Sequence, residues 1–515
     1  MCIRDRGEVG LQGPAGAAGP AGPAGPAGPS GITEIEWDHE TDVVVVGSGN
    51  GGFSAAISAA QKGAKVILVE ISSTTGGGSS FSTGSIHASN LDTVDLYLAA
   101  TQGLHDPVLG PFYIQKFQEY KKWLVDIGAA VSPKPSGTDL DMGTGPTGEV
   151  GPQTHCRVYF DSLETIFEEA GGTLLLKTTG MKVLTDEEGT IVGLRAKGPE
   201  GLLDIKAKAV ILACGGFENN PELRQKYLGR EADLATVLGV PYNMGDGMKM
   251  AQELGASLSG GMSTYSATFG AAHPTRNPME NEEEYEAAGY DTLDGKIEFC
   301  ALAPTVTIPT AEWILVNLNG ERFVDERAKY PRDVNATTRQ PKATAIAIYD
   351  GAAWDAKKDA VNAARGRTGQ ECLDVCIKYG AIVLTADTIS ELADKLEQLP
   401  TPVHKANFLK TMAEYNQAVR EGTETQLKVS RSGGTAVEIK TPPFWAFPFT
   451  PYVYANFGGV AINKNAEALD MQKRPIVGLY AVPPTAGGIM RSIYTGMIGC
   501  GGTFGWVAGE HAAAL

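Results

Sequence analysis

Three glycines and one glutamate have the spacing of a pyrophosphate-binding turn. Gly47, Gly49 and Gly52 form a G-x-G-x-x-G sequence, and Glu70 follows 18 residues after the last glycine. Glycine permits a tight turn at the first position, close backbone approach at the second and close helix packing at the third. Free N–H groups at a helix N-terminus favour phosphates, and a carboxylate accepts hydrogen bonds from ribose hydroxyls. The residues predict a dinucleotide site, and the acid argues against a 2′-phosphate, which leaves NAD or FAD.

The elements that must position these residues follow one another in the same segment. Residues 43–46 and 66–69 are β-branched, apolar runs typical of strands buried on both faces. The glycine turn and a helical pattern lie between them. Another buried strand, at 209–213, runs into Gly215 and Gly216. This order predicts an α/β fold with a Rossmann-like domain.

Further segments indicate helices, a hairpin and a second cofactor loop. Residues 92–104 and 109–128 have helical patterns, and residues 171–198 alternate apolar and polar side chains around an acidic turn, which predicts a β-hairpin. The loop at 76–84 is too rich in glycine and hydroxyl groups for a core. We expect its backbone amides to contact a cofactor.

Composition limits the function classes. The chain has 515 residues, 43% of them hydrophobic, enough for two or three domains. Its net charge of −17 repels phosphate backbones and anionic lipid surfaces, which argues against nucleic-acid binding. No apolar run approaches the roughly 20 residues of a membrane span, and the N-terminus lacks the apolar core of a secretory signal. We therefore expect a soluble, cytoplasmic protein.

The seven cysteines, Cys2, Cys156, Cys214, Cys300, Cys372, Cys376 and Cys500, are scattered and odd in number. That pattern does not indicate a disulfide framework, so reduced thiols are expected. Cys372 and Cys376 can share a helix face, but no CxxC pair, CxxCH or histidine cluster accompanies them. The sequence predicts no metal, haem or iron–sulfur site.

A collagen-like repeat precedes the domain. Between Gly7 and Ser30 glycine recurs at every third position through eight triplets, often followed by proline. One interpretation is a disordered polyproline-II tether; the other is a triple helix that makes the protein a trimer. The abrupt start of the repeat suggests that residues are missing before it.

Seven segments together resemble the flavoprotein subunits of fumarate reductases and succinate dehydrogenases, in the soluble branch with urocanate reductase and the 3-ketosteroid dehydrogenases. They read DVVVVGSGNGGFSAA, GGGSS, VILACGGFENNPEL, GDGMKMAQELGA, AHPT, ILVNLNGERFVDE and GLYAVPPTAGG, and the likeness spans residues 41–515. It implies an FAD domain in two parts, 41–270 and 455–515, with a capping domain at 271–454 and a tail at 1–40. It also implies FAD as the cofactor.

The resemblance assigns roles to residues of this chain. Arg332 matches the family's proton donor; a salt bridge with Asp325, Glu326 or Asp333 is the alternative. The implied cofactor contacts are Gly47, Gly49, Gly51, Gly52, Glu70, Gly77, Gly78, Ser79, Ser80, Gly84, Val183, Ala213, Gly215, Asp246 and Gly488.

Several positions depart from the family. The residues that bind fumarate's carboxylates are replaced by Pro309, by Ala455 preceded by Tyr454, and by Tyr494. Dicarboxylate recognition is therefore not expected. Tyr454 and Tyr494 suit a flatter, less charged substrate, or they simply pack in the core. The family's AGE tripeptide is also altered, to VPP at 482–484, which removes a glutamate that helps to hold FAD.

The flavin is expected to be noncovalent, because the family's flavin-linked histidine corresponds to Gly78. His87 is interpreted as a hydrogen-bonding residue rather than a catalyst, and the acidic run at 280–286 as a solvated surface. The leading hypothesis is hydride transfer between FAD and an activated C=C or CH–CH bond, in either direction. The rivals are other flavin oxidase or amine chemistry, and a non-catalytic, collagen-tethered protein. An external electron donor or acceptor is implied.

Overall fold

The structure is a computed structural model. It describes residues 35–515 except 83, 90, 92, 102, 134–138, 144–151, 238, 272–311, 328–331, 363–366, 379–380, 433–435 and 492. The collagen-like repeat, the AHPT segment, Pro309 and the acidic run at 280–286 lie outside the described residues.

Strands occupy β1 (His39–Glu40), β2 (Val43–Val46), β3 (Val66–Val69), β4 (Ser85–Ile86), β5 (Val131–Pro133), β6 (Leu140–Met142), β7 (Thr173–Leu175), β8 (Thr179–Thr185), β9 (Ile191–Gly198), β10 (Gly201–Lys206), β11 (Ala209–Leu212), β12 (Thr236–Val237), β13 (Tyr265–Ala271), β14 (Ile314–Val316), β15 (Ala345–Tyr349), β16 (Val361–Asn362), β17 (Arg367–Thr368), β18 (Leu384–Ala386), β19 (Phe444–Asn456), β20 (Glu467–Leu469) and β21 (Pro475–Ala481). Helices occupy α1 (Asn50–Gln61), α2 (Val94–Thr101), α3 (Leu109–Asp126), α4 (Pro152–Glu169), α5 (Pro221–Tyr227), α6 (Asp246–Glu253), α7 (Arg332–Thr337), α8 (Gly351–Asp355), α9 (Gly369–Lys378), α10 (Ile389–Glu397), α11 (Lys405–Glu421) and α12 (Met497–Ala512).

The central sheet has the strand order β20-β21-β11-β2-β3-β7. Its neighbours run parallel, apart from the β20–β21 pair. Every residue of β2, β3 and β11 is buried, which accounts for their unbroken apolar sequences. The predicted strands at 43–46, 66–69 and 209–213 are confirmed, and so is the α/β class.

The hairpin is confirmed over β8 and β9, whereas residues 173–175 of the predicted segment form β7 in the central sheet; the two helices are also confirmed. β8 and β9 pair antiparallel, and the turn between them is closed by the Asp186 N–H, which donates to the Thr190 carbonyl at 3.0 Å. These strands lie in a four-stranded sheet with the order β1-β10-β9-β8. Helices α2 and α3 fall within the two segments that have helical patterns.

A third sheet is built around the long strand β19. It has the order β12-β19-β15-β14, and both β13 and β18 also pair with β19. A separate apolar cluster packs beside β14, β15 and the start of β19, and it includes Ile314, Ile348, Leu392, Phe408 and Ala446. A second apolar cluster is compatible with the inserted capping domain that the sequence predicts. The domain boundaries stay predictions.

The last helix, α12, packs closely on α1. A Cβ atom added to Gly505 would lie 2.1 Å from the Gly51 carbonyl oxygen, and one on Gly509 would lie 2.2 Å from the Ala55 carbonyl oxygen. Glycines four residues apart share one helix face, so their missing side chains let the two backbones meet.

Within the described part of the chain, no helix is long and apolar enough to span a membrane.

Candidate functional site

The turn between β2 and α1 is rich in glycine, so few side chains cover its backbone. Gly47 has a positive φ of 101°, and an added Cβ would lie 2.5 Å from the Ala213 carbonyl oxygen. A Cβ on Gly52 would lie 1.8 Å from the Gly47 carbonyl oxygen. Helix α1 begins directly after Gly49. The turn therefore presents a helix N-terminus to a ligand, as the spacing predicts.

Glu70, at the end of β3, ties the neighbouring loops to this turn. Its buried carboxylate accepts hydrogen bonds from the Ser48 N–H at 2.8 Å, the Ser48 hydroxyl at 2.6 Å and the Ser72 N–H at 2.9 Å. A carboxylate has about four lone-pair sites, so three bonds leave capacity for another donor. A ribose contact at Glu70 is compatible with this arrangement and stays a prediction.

The glycine- and serine-rich loop forms a wall of the same site. Residues Gly77–Phe81 make a 3₁₀ turn. The Asn50 N–H donates to the Ser79 hydroxyl at 3.3 Å, and the Gly76 N–H donates to the Ser48 hydroxyl at 3.1 Å. These bonds hold the loop against the first turn of α1.

A cavity of about 390 Å³ runs between these elements. It brings together twelve of the predicted site residues: Gly47, Gly49, Gly51, Glu70, Gly77, Gly78, Ser79, Ala213, Gly215, Asp246, Tyr454 and Tyr494. Residues distant in the sequence therefore meet around one space.

Five predicted cofactor residues do not line this cavity: Gly52, Ser80, Gly84, Val183 and Gly488. Gly52 instead packs α1 against the turn, and the Ser80 hydroxyl donates to the Gly77 carbonyl at 2.7 Å. Val183 is buried within β8. These contacts indicate that the residues support the cavity wall. Direct contact of the five residues with FAD stays a prediction.

Sequence reasoning missed the residues that line the cavity at the start of β8. These are Thr178, Thr179 and Gly180. A Cβ on Gly180 would lie 2.7 Å from Val46 Cγ1, so the strand could not approach β2 as closely with another residue there. A glycine within a strand was the available signal.

A second missed group is Glu218 with Asn243. Both line the cavity, and the Asn243 amide donates to Glu218 Oε1 at 2.5 Å. Burial raises the pKa of Glu218 to about 7, although hydrogen bonds from its own backbone N–H and from the Asn243 amide, and the charge of Arg224, act in the opposite direction. The available signal was an acid two residues after the glycine pair in GGFENN.

Aromatic rings gather around Tyr494 at one part of the cavity. Its ring centroid lies 5.8 Å from that of His87, 6.2 Å from Tyr454 and 6.4 Å from Phe457. Removal from water raises the pKa of Tyr494 above its usual value, so its hydroxyl stays protonated near neutral pH. His87 Nδ1 accepts a hydrogen bond from the Ser89 N–H at 2.9 Å. The rings are steeply inclined, at 60° between His87 and Tyr494 and 86° between Tyr454 and Tyr494, so they form an aromatic wall with several ring faces and edges.

Arg332 begins α7, and its side chain lies outside the described residues. Two hydrogen bonds fix α7 on β13: Asn335 Nδ2 donates to the Tyr265 carbonyl at 2.8 Å, and the Tyr265 N–H donates to Asn335 Oδ1 at 3.1 Å. Glu326, an alternative salt-bridge partner of Arg332, already pairs with Arg322 at 2.6 Å and Arg431 at 3.0 Å.

Comparison with known families identifies the family of this chain. The model of the FAD binding domain family matches residues 42–504. This chain belongs to that family. The protein is therefore a flavin-dependent oxidoreductase, the predicted family resemblance is confirmed, and FAD rather than NAD is the cofactor. The side-chain-free turn, the helix N-terminus and the carboxylate of Glu70 fit its pyrophosphate and ribose groups.

The chain is similar to proteins named as reductases and as a steroid dehydrogenase. It is 29% identical to a fumarate reductase (cytochrome) of Shewanella frigidimarina over 92% of this chain and 77% of the relative. It is 27% identical to a vinyl phenol reductase of Lactiplantibacillus plantarum over 88% of this chain and 91% of the relative. A crystal structure of 3-ketosteroid Δ1-dehydrogenase from Sterolibacterium denitrificans shares the fold, with a TM-score of 0.70, 21% identity and coverage of 92% and 100%.

Proposed function

We propose that this protein moves hydride between noncovalently bound FAD and an activated C=C or CH–CH bond of a small, flat and weakly charged substrate. The observation that carries the proposal is the continuity of one cavity from the glycine turn to the aromatic group around Tyr494. Bound FAD supplies two-electron chemistry, and the protein supplies orientation and proton handling.

The aromatic group favours a planar substrate over a dicarboxylate. Tyr494 stands where the fumarate reducers of the family have an arginine, and Tyr454 precedes Ala455, which stands where they have a histidine; both tyrosines offer ring faces and hydroxyl groups. The similarity to a vinyl phenol reductase, whose name describes an aryl alkene substrate, supports the same substrate class. We propose an aryl-substituted or carbonyl-conjugated alkene.

Proton delivery is assigned to Arg332, by resemblance and by its place at the start of α7. Helix α7 is fixed on β13, which pairs with β19, the strand that carries Tyr454. Arginine is a poor acid in water, with a pKa above about 12, so the role requires an enclosed site in which a relay restores the proton. A separate donor or acceptor protein, or a small diffusible carrier, exchanges electrons with the flavin.

Noncovalent attachment is supported by the side chains near Gly78. That position has no nucleophile, and an added Cβ would lie 3.5 Å from the Asn243 amide nitrogen. Burial raises the pKa of the Cys214 thiol, which also lines the cavity, to about 12, so little thiolate is present near neutral pH. Boiling or acid should release yellow FAD into the supernatant, and flavin retained by the precipitated chain would refute this part of the proposal.

Anaerobic reoxidation of the reduced flavin tests the reaction. Dithionite-reduced protein is mixed with vinyl phenols, aryl enoates, enones and fumarate, and recovery of the flavin absorbance is followed. We expect the planar alkenes to restore the absorbance faster than fumarate does. Fastest recovery with fumarate would contradict the substrate class. Recovery only with oxygen, accompanied by peroxide, would favour the oxidase alternative, and an absence of flavin in the purified protein would favour the non-catalytic one.

A further inference from the structure

Glu218 lines the cavity, and one of its two carboxyl oxygens is buried without a hydrogen-bond partner among the described residues. The residue is 1% exposed and lines the cavity. Oε1 accepts from Asn243, whereas Oε2 has no hydrogen-bond partner among the described residues. Leaving a buried acceptor unsatisfied is unfavourable, and more so for a charged group. A donor on the bound ligand would remove that cost.

Glu218 lies near the segment in which VPP at 482–484 replaces the family's AGE tripeptide. A Cβ on Gly216 would lie 2.3 Å from Glu218 Oε2 and 1.8 Å from Asn456 Oδ1, so the glycine allows both groups to approach. Asn456 Nδ2 in turn donates to the Pro484 carbonyl at 3.3 Å. Pro484 stands where the resemblance places a glutamate that helps to hold FAD. Glu218 Oε2 and Asn456 Oδ1 therefore both lie beside Gly216, and Asn456 also contacts the backbone of the altered tripeptide.

We propose that Glu218 is a cofactor-binding residue whose free carboxylate oxygen accepts a hydrogen bond from a hydroxyl group of FAD. Asn243 holds the carboxylate through its other oxygen, at 2.5 Å. The inference rests on the noncovalent FAD proposed above, but not on the identity of the substrate.

The arrangement couples FAD affinity to pH. Burial raises the pKa of Glu218 to about 7 in the free protein, and a donor from FAD would favour the charged form and lower that pKa. Binding therefore releases a proton, and affinity rises with pH up to about 7 and then levels off. The other charged or titratable groups on the surrounding elements are Arg224 on α5, Asp246 on α6, Tyr242, Tyr454 on β19, Cys214, and His87 and Glu70 across the cavity.

Titration of the FAD-free protein with FAD tests the proposal. Dissociation constants are measured by flavin fluorescence at pH 6 and pH 8 for the parent, Glu218→Gln, Glu218→Ala and the exposed control Glu222→Gln. We expect the parent and the control to bind about tenfold more weakly at pH 6 than at pH 8. Glu218→Gln should show no such difference, and Glu218→Ala should bind at least about tenfold more weakly than the parent at pH 8.

Retention of the tenfold pH difference in Glu218→Gln, or an affinity of Glu218→Ala within twofold of the parent, would overturn the proposal. Tighter binding by the parent at pH 6 would overturn it as well, since a protonated carboxyl would then be the binding form. If Glu218→Ala does not fold, the proposal is tested on the parent by calorimetry of FAD binding in two buffers of different ionisation enthalpy, which measures the number of protons released. Release of about half a proton per FAD at pH 7 supports the proposal, and no release contradicts it. No alkene is present in these measurements, so their outcome is separate from that of the reoxidation assay.

Discussion

At the scale of single residues, the carboxylate of Glu70 has a structural role beside its predicted ribose contact. Its position at the end of β3 predicts a ribose contact, and the structure adds three hydrogen bonds to Ser48 and Ser72. Because Ser48 lies between two glycines of the turn, these bonds stiffen the segment that is predicted to face the pyrophosphate. Removing the carboxylate would therefore affect both the ligand and the shape of its site.

We expect Glu70→Ala to weaken FAD binding by about 1 to 3 kcal/mol, the range for losing a charged hydrogen-bond partner. Fluorescence titration of the FAD-free variant measures this change. Ser48→Ala is a matched control, because it removes a hydroxyl that donates to Glu70 and leaves the carboxylate in place. If Ser48→Ala weakens binding as much as Glu70→Ala, the effect belongs to the turn rather than to a ribose contact.

Arg332 provides a second test at this scale. If it donates the proton, Arg332→Lys and Arg332→Ala should lower turnover by at least about 100-fold, the low end of general acid catalysis. Lysine should not rescue activity, because its point charge lacks the fork geometry of guanidinium. Flavin absorbance and melting temperature should stay close to those of the parent.

The exposed Arg339, seven residues further along, is the control for Arg332, and Arg339→Lys should keep full turnover. Turnover of Arg332→Lys within about threefold of the parent would return Arg332 to the salt-bridge interpretation. Loss of folding in both Arg332 variants would support the same conclusion. The search for the acid would then move to Tyr494 and Tyr454.

At the scale of elements, the cavity depends on the contact between α1 and α12. Gly501, Gly505 and Gly509 lie on one face of α12, and each approaches backbone atoms of another segment. Gly501 also lines the cavity, together with Gly51 at the start of α1. The packing of a C-terminal helix therefore sets the position of the helix N-terminus that faces the cofactor.

We expect Gly505→Ala to destabilise the protein by about 1 to 3 kcal/mol, because its Cβ would lie 2.1 Å from the Gly51 carbonyl oxygen and α12 must move. It should also lower the flavin content of the purified protein. Urea unfolding and the ratio of flavin to protein absorbance measure the two effects. Glu510→Ala, which removes only an exposed ion pair with Lys62, should change stability by no more than about 1 kcal/mol. Equal stability of the two variants would contradict the close-packing argument.

At the scale of the whole molecule, β19 connects a separate apolar cluster to the cofactor cavity. Phe444 and Ala446 belong to that cluster, whereas Tyr454 and Ala455 line the cavity. One continuous strand therefore connects this region to the proposed substrate position. Residues Trp37–Leu515 form one compact unit, and the collagen-like repeat precedes it in the sequence.

The repeat should be dispensable for chemistry, since it shares no apolar periodicity with the domain after Asp42. We expect deletion of residues 1 to 35 to leave flavin content and turnover unchanged. Flavin absorbance and the reoxidation assay check this. Loss of FAD on deletion would contradict the tether interpretation. Conversion of a trimer to a smaller species, measured by light scattering, would instead support the triple helix.

The glycine turn, the buried strands and the hairpin could be read from the sequence because their signals are local. Gly47 needs a positive φ, and the four valines of β2 are apolar because both faces of the strand are covered. Each of these requirements acts within a few residues of chain. The family resemblance then extended the argument from a dinucleotide fold to FAD.

Only the tertiary structure decided which distant residues share the cavity. The sequence around Glu218 does not indicate that this residue is buried. Its raised pKa arises from desolvation by segments that are distant in the sequence and pack against it in the fold. In the same way, Thr178 to Gly180 line the cavity while Val183, on the same strand, faces the core. Strand direction and helix contacts set these outcomes, and they depend on pairings between segments that the local sequence does not specify.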